Sequence, residues 1–211
     1  MKKVFLALIS FVLLNQLAAQ EILVSSLFTH SSYNEFQNNF GYEIGYNQII
    51  KSKNRFGFTF SHSFNNTDYN YIFMSDADGI DYYREVEPNN QKMTLSINYS
   101  TNVSKKQQSK FYIGPKLGIN YFNIREFVDE RPVNETENHQ FNSNYWEANK
   151  IGIGLLFEYE RKIFSDNISI FLSTEPEVIF FSRFGLKGSS DPVLIGAVNI
   201  NLGIKYNIKK E

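Results

Sequence analysis

The segment Asn199-Ile-Asn-Leu-Gly-Ile-Lys-Tyr-Asn-Ile208 alternates without a fault. Val198, Ile200, Leu202, Ile204, Tyr206 and Ile208 fall on one side, and Asn199, Asn201, Gly203, Lys205 and Asn207 on the other. Side chains of a strand repeat every two residues, so this segment has one apolar and one polar face. The pattern recurs along the chain and predicts eight strands, the others being about 22–30, 39–50, 55–64, a fourth ending near 103, 110–122, 148–160 and 167–182. In the third, Phe56, Phe58, Phe60 and Phe64 oppose Gly57, Thr59, Ser61 and Ser63. In the sixth, Ile151, Ile153, Leu155, Phe157 and Tyr159 oppose Gly152, Gly154, Glu158 and Glu160. Past residue 20, no segment carries the three-and-four spacing of an amphipathic helix.

Connector lengths alternate as well. Residues 51–54, 104–109 and 161–166 are short, 65–90 and 123–147 are long, and 31–38 and 183–192 are intermediate. Short turns at one end and long loops at the other characterise an outer-membrane barrel with its termini in the periplasm. The long connectors hold strand-like pieces of their own. Tyr69, Tyr71 and Phe73 precede the turn pair Asp78-Gly79, and Tyr82 and Val86 follow it, so strands three and four are expected to continue beyond the membrane as a hairpin. Strands five and six are expected to extend similarly around Arg131-Pro132. Pro115 and Pro176 fall inside strand patterns, and each predicts a bulge or local break because it lacks a ladder donor.

The N-terminus changes the picture from sandwich to membrane. Lys2 and Lys3, the apolar run Val4 to Leu14, and Ala18-Ala19 have the three parts of a secretory signal peptide, so residues 1–20 are set apart from a single domain over 21–211. No other stretch approaches the roughly 18 apolar residues of a membrane helix. A spanning chain must then close its sheet, because backbone groups cannot go unpaired in hydrocarbon. Charge follows the same sidedness. The short turns and their edges hold Lys51, Lys53, Arg55, Lys105, Lys106, Lys110, Arg161 and Lys162, whereas the long loops are acidic. Aromatics such as Phe111, Tyr99, Tyr159 and Tyr206 at one rim, and Tyr42, Phe64, Tyr121 and Phe180 at the other, form the expected girdles.

Gly114-Pro-Lys-Leu-Gly-Ile-Asn-Tyr121, the strand Ile151 to Glu160, and Ser173-Thr-Glu-Pro-Glu-Val178 together resemble the small outer-membrane β-barrel family labelled PorT-like, over essentially all of 21–208. The resemblance implies an outer-membrane barrel of a Gram-negative envelope and carries no activity with it. The final strand also fits a signal for the barrel-assembly machinery through Asn201, Gly203, Tyr206 and Ile208. Many such proteins end on an aromatic residue, whereas this chain runs on through Lys209-Lys-Glu211.

Candidate chemistry is sparse. The absence of cysteine excludes disulfides, thiolate metal sites, a Cys nucleophile and a lipidated Cys anchor. A net charge of −1 gives no reason to expect a nucleic-acid partner. Glu43, Lys116, Glu158, Glu160, Glu175, Glu177 and Lys205 are expected to face inward, as a paired polar plug rather than a proton or cation path. Asp76-x-Asp78-Gly79-x-Asp81 offers hard oxygen ligands but lacks EF-hand spacing and its closing Glu, and a turn explains Asp-Gly. For catalysis, His30 with Ser32 is the least implausible pairing. His62 has Ser61 and Ser63 as neighbours, and His139 lies in a loop. No residue is assigned a catalytic, cofactor-binding or metal-binding role.

The sequence therefore predicts an all-β, eight-stranded antiparallel up-and-down transmembrane β-barrel in the outer membrane. It is expected to be non-enzymatic, with a structural role or partner binding through its long acidic extracellular loops. Their aromatics Tyr69, Tyr71, Tyr82, Tyr83, Tyr145 and Trp146 suit an interface. The expected partners are membrane lipids, the barrel-assembly machinery, and an extracellular protein or surface. A small-ligand or narrow transport barrel, a lipid-modifying enzyme and a soluble lipocalin-like barrel are the alternatives.

Overall fold

The computed structural model describes residues 20–32, 38–50, 53–65, 68–74, 79–105, 108–134, 140–165, 167–182 and 192–208. The leader expected over 1–20 lies outside these residues except for Gln20. Ten strands follow in chain order: β1 (Gln20–Ser31), β2 (Asn38–Ile50), β3 (Asn54–Asn65), β4 (Tyr69–Met74), β5 (Asp81–Pro88), β6 (Asn90–Asn102), β7 (Ser109–Pro132), β8 (Gln140–Ser165), β9 (Ile168–Ser182) and β10 (Pro192–Ile208). Eight of them close into a ring in the order β1-β2-β3-β6-β7-β8-β9-β10, every pairing antiparallel. The seam joins β10 to β1, from Gln20↔Ile208 to Ser31↔Ala197.

The alternation maps onto this ring as lipid side and lumen side. Ile22, Ile44, Leu95, Ile153, Leu172, Ile200 and their in-phase neighbours are exposed on the outer wall, while Glu43, Ser96, Asn120, Glu158 and Asn201 are buried inside. Among the described residues, no Asp, Glu, Lys or Arg faces outward between the two aromatic girdles. In water, such a surface would far exceed the few hundred Å² of contiguous apolar area a soluble monomer tolerates. On a closed barrel with a polar interior it places the chain in an outer membrane.

Both prolines interrupt one ladder only. The β6–β7 register runs to Asn98↔Lys116 and resumes at Thr101↔Ile113, skipping Pro115, which keeps its place opposite Leu155 on β8. The β8–β9 register skips Pro176 between Gly154↔Glu177 and Phe157↔Thr174, while β9–β10 continues through Val198↔Pro176.

A strand tilted by about 40° crosses a band about 25 Å tall in roughly ten residues. β7, at 24 residues, and β8, at 26, are more than twice that length. Their surplus projects past the outer girdle, where β5 pairs with β7 and β4 with β5. The result is a four-stranded sheet, β4-β5-β7-β8, standing on the wall of the barrel. The β4–β5 hairpin turns through Gly79, whose φ of 70° is a backbone region that favours glycine. Both expected extensions of the long connectors are therefore present.

One expectation needs correction. Charge sidedness puts Arg55 with the basic periplasmic edge, but it is buried in the lumen at 1% exposure. It shares the inward phase of Gly57, Thr59 and Ser61, so its side chain turns into the barrel rather than toward water.

Candidate functional site: a packed lumen beneath an extracellular sheet

The lumen is filled in tiers. Near the periplasmic end, Arg55 on β3 bridges Glu21 on β1 at 3.3 Å, Glu158 on β8 at 2.8 Å and Glu160 on β8 at 3.5 Å. Lys205 on β10 reaches the same Glu158 and, at 3.3 Å, Glu160. The Arg55 guanidinium also lies 3.8 Å above the Tyr112 ring, and Lys205 Nζ lies 4.8 Å from the centre of Phe171. One tier up, Lys116 binds Glu175 at 2.5 Å and approaches Glu43 at 3.8 Å. Above it, Lys92 faces Glu177 at 3.5 Å. Asn120 donates to Glu177 at 2.9 Å and accepts from Thr94 at 2.7 Å.

Charges taken out of bulk water cost several kcal/mol each unless they are paired, and each of these faces an opposite charge within 4 Å. Every inward charge expected from the sequence is in this network. Glu21, Arg55 and Lys92 belong to it too and were missed. Arg55 and Lys92 carried a signal, since each extends the polar phase of its own strand by one step toward a strand end; Glu21 did not, because Leu23 and Leu27 interrupt that phase on β1. At the outer end of the lumen, Phe122, Ile124, Ile179, Ile195 and Ala197 form a buried apolar cluster directly above the Glu177 tier. Asn39, Asn120, Asn201 and Lys205 are each 0% exposed, so side chains rather than a water column fill these levels.

The extracellular sheet is a different surface. Its outward face continues the lipid-facing phase of β7 through Tyr121, Asn123, Arg125 and Phe127. Cross-strand partners share a face, which sets Glu87, Phe127 and Ser143 in one row and Glu85, Asp129 and Phe141 in the next. Phe127 and Phe141 stack with centroids 5.7 Å apart. Arg125 lies 5.2 Å over the Tyr145 ring and donates to Asn123 at 3.3 Å. Tyr145 donates to Glu147, which holds that carboxyl below the usual carboxylate range, with Tyr121 contributing a second hydrogen bond. A groove of about 640 Å³ opens at the base of this face, between Asp68, Glu87 and Asn89 on one side and Arg125, Phe127 and Tyr145 on the other. The opposite face of the sheet buries Val86 against its cross-strand partner Val128 and carries an Arg84–Glu130 ion pair. The side chains of Tyr69, Tyr71 and Trp146 lie outside the described residues.

The remaining candidates do not assemble. His30 Nδ1 is 3.0 Å from Asn38 Oδ1, while Ser32 Oγ accepts from Gly196 N at 3.1 Å, so each is engaged elsewhere. His62 faces outward between Tyr42 and Phe64, on the opposite side of β3 from the buried Ser61 and Ser63. His139, Asp76 and Asp78 lie outside the described residues. Among those described, no three His, Asp or Glu side chains gather as metal ligands.

No protein-family model and no curated protein matches the sequence. Among solved structures, the chain is similar to Neisserial surface protein A, with a TM-score of 0.52 at 11% identity over 90% of this chain and 99% of that one. Ail, the attachment invasion locus protein of Yersinia pestis, aligns at a TM-score of 0.48 and 11% identity, over 90% and 99%. A major outer membrane protein of Thermus thermophilus aligns at 0.48 and 14%, also over 90% and 99%. At such identities the first likeness speaks for the fold, the eight-stranded outer-membrane barrel that the pairing pattern shows independently.

Proposed function

We propose that this protein is a non-enzymatic outer-membrane barrel that works as a contact surface, binding an extracellular protein or surface through the sheet raised above the membrane. The observation that carries the reading is the extension of β7 and β8 far beyond the outer girdle, where they recruit β4 and β5. A barrel that served only as a membrane anchor has no need of a second, ordered, aromatic and acidic sheet. Exposed Phe127, Phe141 and Tyr145 are residue types enriched at protein interfaces. The packed lumen supports a structural role for the barrel itself and gives no support to transport. The scattered histidines give none to lipid modification. In this reading residues 1–20 are a secretory leader, and the assembly machinery recognises β10 through Asn201, Gly203, Tyr206 and Ile208. The narrower PorT-like affiliation rests on the sequence resemblance alone.

The test compares cells displaying the full protein with cells displaying a form whose sheet is cut back to the membrane by replacing 66–89 and 126–145 with tight turns. Adherence to surfaces coated with a basic protein, an acidic protein or polysaccharide is measured, with heat-dependent gel mobility confirming that both barrels fold. Sheet-dependent adherence to one coating is expected. Equal adherence of both forms to every coating overturns the reading.

A further inference from the structure

The outward face of the extracellular sheet combines two features that seldom coexist without a partner. Its floor is apolar and aromatic, with Phe141 and Tyr145 more than 60% exposed and Phe127 nearly half exposed, although Phe127 and Phe141 stack on one another. A stacked aromatic pair left in water, continuous with other apolar surface, marks an interaction site rather than ordinary surface scatter. The margin is acidic. Asp68 and Glu87 line the groove, and neither has a cationic partner among the described residues. Arg125, the one cation lining the groove among the described residues, is committed to the Tyr145 ring and to Asn123.

The face therefore offers flat aromatic surface beside uncompensated carboxylates. A guanidinium suits both at once, because it is planar, weakly hydrated, stacks on rings and takes carboxylates in a fork. Arg125 over Tyr145 is an internal example of that contact on this same wall. A volume of about 640 Å³ lies in the range of small-molecule sites, roughly 300–1,000 Å³, and so has room for a guanidinium side chain.

We infer that this groove docks an arginine-bearing extended segment of a basic protein partner. The inference rests on the contact-surface function proposed above and names the chemistry of the partner.

The test uses the full-length protein in lipid vesicles and a fluorescein-labelled peptide of alternating arginine and serine, with a companion in which glutamine replaces arginine. The arginine peptide is expected to bind in a salt-dependent manner and the glutamine peptide not to bind. The double variant Asp68→Asn/Glu87→Gln and the double variant Phe127→Ser/Tyr145→Ser are each expected to weaken binding about tenfold, the equivalent of about 1.4 kcal/mol. Asp81→Asn/Glu130→Gln removes the same formal charge from the hairpin tip and the opposite face of the same sheet, and is expected to leave binding within about twofold, since exposed charge pairs are worth little. Heat-dependent mobility reports folding of every variant. An equal loss in the Asp81/Glu130 variant would show diffuse charge attraction and overturn the site, as would no binding of the arginine peptide or unchanged binding in the groove variants. Adherence separates the two claims. If groove variants bind peptide as the wild type does while the cut-back sheet still abolishes adherence, the groove is wrong and the contact function stands. If the cut-back sheet changes nothing, the contact function itself fails.

Discussion

Arg55 on β3 and Glu158 on β8 meet across the lumen at 2.8 Å, although 103 residues separate them and two strands of the ring stand between theirs. The contact ties two non-adjacent strands of the wall directly rather than through the ladder. It also gathers the charges of four strands into one network, because Glu158 is shared with Lys205 while Arg55 also holds Glu21.

Replacing Arg55 with Met should therefore be costly. Glu21 loses its cation while Glu158 and Glu160 keep Lys205, and breaking a buried pair from one side costs about 3–5 kcal/mol. The expected outcome is a lower urea midpoint for unfolding in vesicles and loss of the heat-dependent mobility shift at a lower temperature. Arg55→Lys should fall between, since an ammonium cannot fork to two carboxylates. A Met variant as stable as the wild type would mean that the network is a bystander.

Gly114 and Gly196 are both strand glycines, yet only one is sterically required. A Cβ on Gly114 would lie 1.9 Å from the backbone oxygen of Tyr99, whereas one on Gly196 would meet nothing nearer than Ser32 Oγ at 3.9 Å. Gly114→Ala must push β6 from β7 beside the gap already left at Pro115, and a destabilisation of about 1–3 kcal/mol is expected. Gly196→Ala should be neutral or stabilising by up to about 1 kcal/mol, through the unfolded chain. Urea titration of the two variants side by side checks the contrast.

A lumen packed by Tyr112, Phe122, Arg55 and Lys205, each under 3% exposed, should not pass ions. Planar-bilayer recordings of the wild type are expected to stay at baseline. Phe122→Ala with Ile179→Ala removes side chains from the apolar cluster at the outer end, at a stability cost of about 2–5 kcal/mol each, and should still stay at baseline because the charged tiers beneath fill the lumen. Steady conductance by the wild type would return narrow transport to consideration.

The barrel was legible because lipid and lumen demand opposite chemistry on alternate residues. The same logic explains why the extension of the fifth strand was legible in its connector and not in its alternation. Hydrophobic alternation ends on β7 at Tyr121, yet the strand continues to Pro132, because above the girdle the outward face meets water and carries Asn123 and Arg125. Apolar periodicity thus reports the height of the membrane, not the length of the strand. Gly79 and the aromatics around it gave the hairpin, but nothing in the sequence said that β5 would pair with β7 and build a four-stranded sheet. Glu21, Arg55 and Lys92 sit near strand ends, where a charged residue reads equally well as a turn or as lumen. The outward groove depends on which strands neighbour one another above the membrane, and that was set by pairing rather than by any local motif.

The placement of the membrane is the claim on which the rest stands, and two equally exposed residues test it. Leu95, at 63% exposure, faces outward in the middle of the apolar band, and Ile72, at 62%, faces outward on the extracellular sheet. The chain has no cysteine, so Leu95→Cys and Ile72→Cys each give a single labelling site. Carrying an environment-sensitive fluorophore in vesicles of brominated lipid, position 95 should be strongly quenched and position 72 should not. Equal quenching at the two positions, or none at 95, would mean that the outward apolar wall does not face lipid.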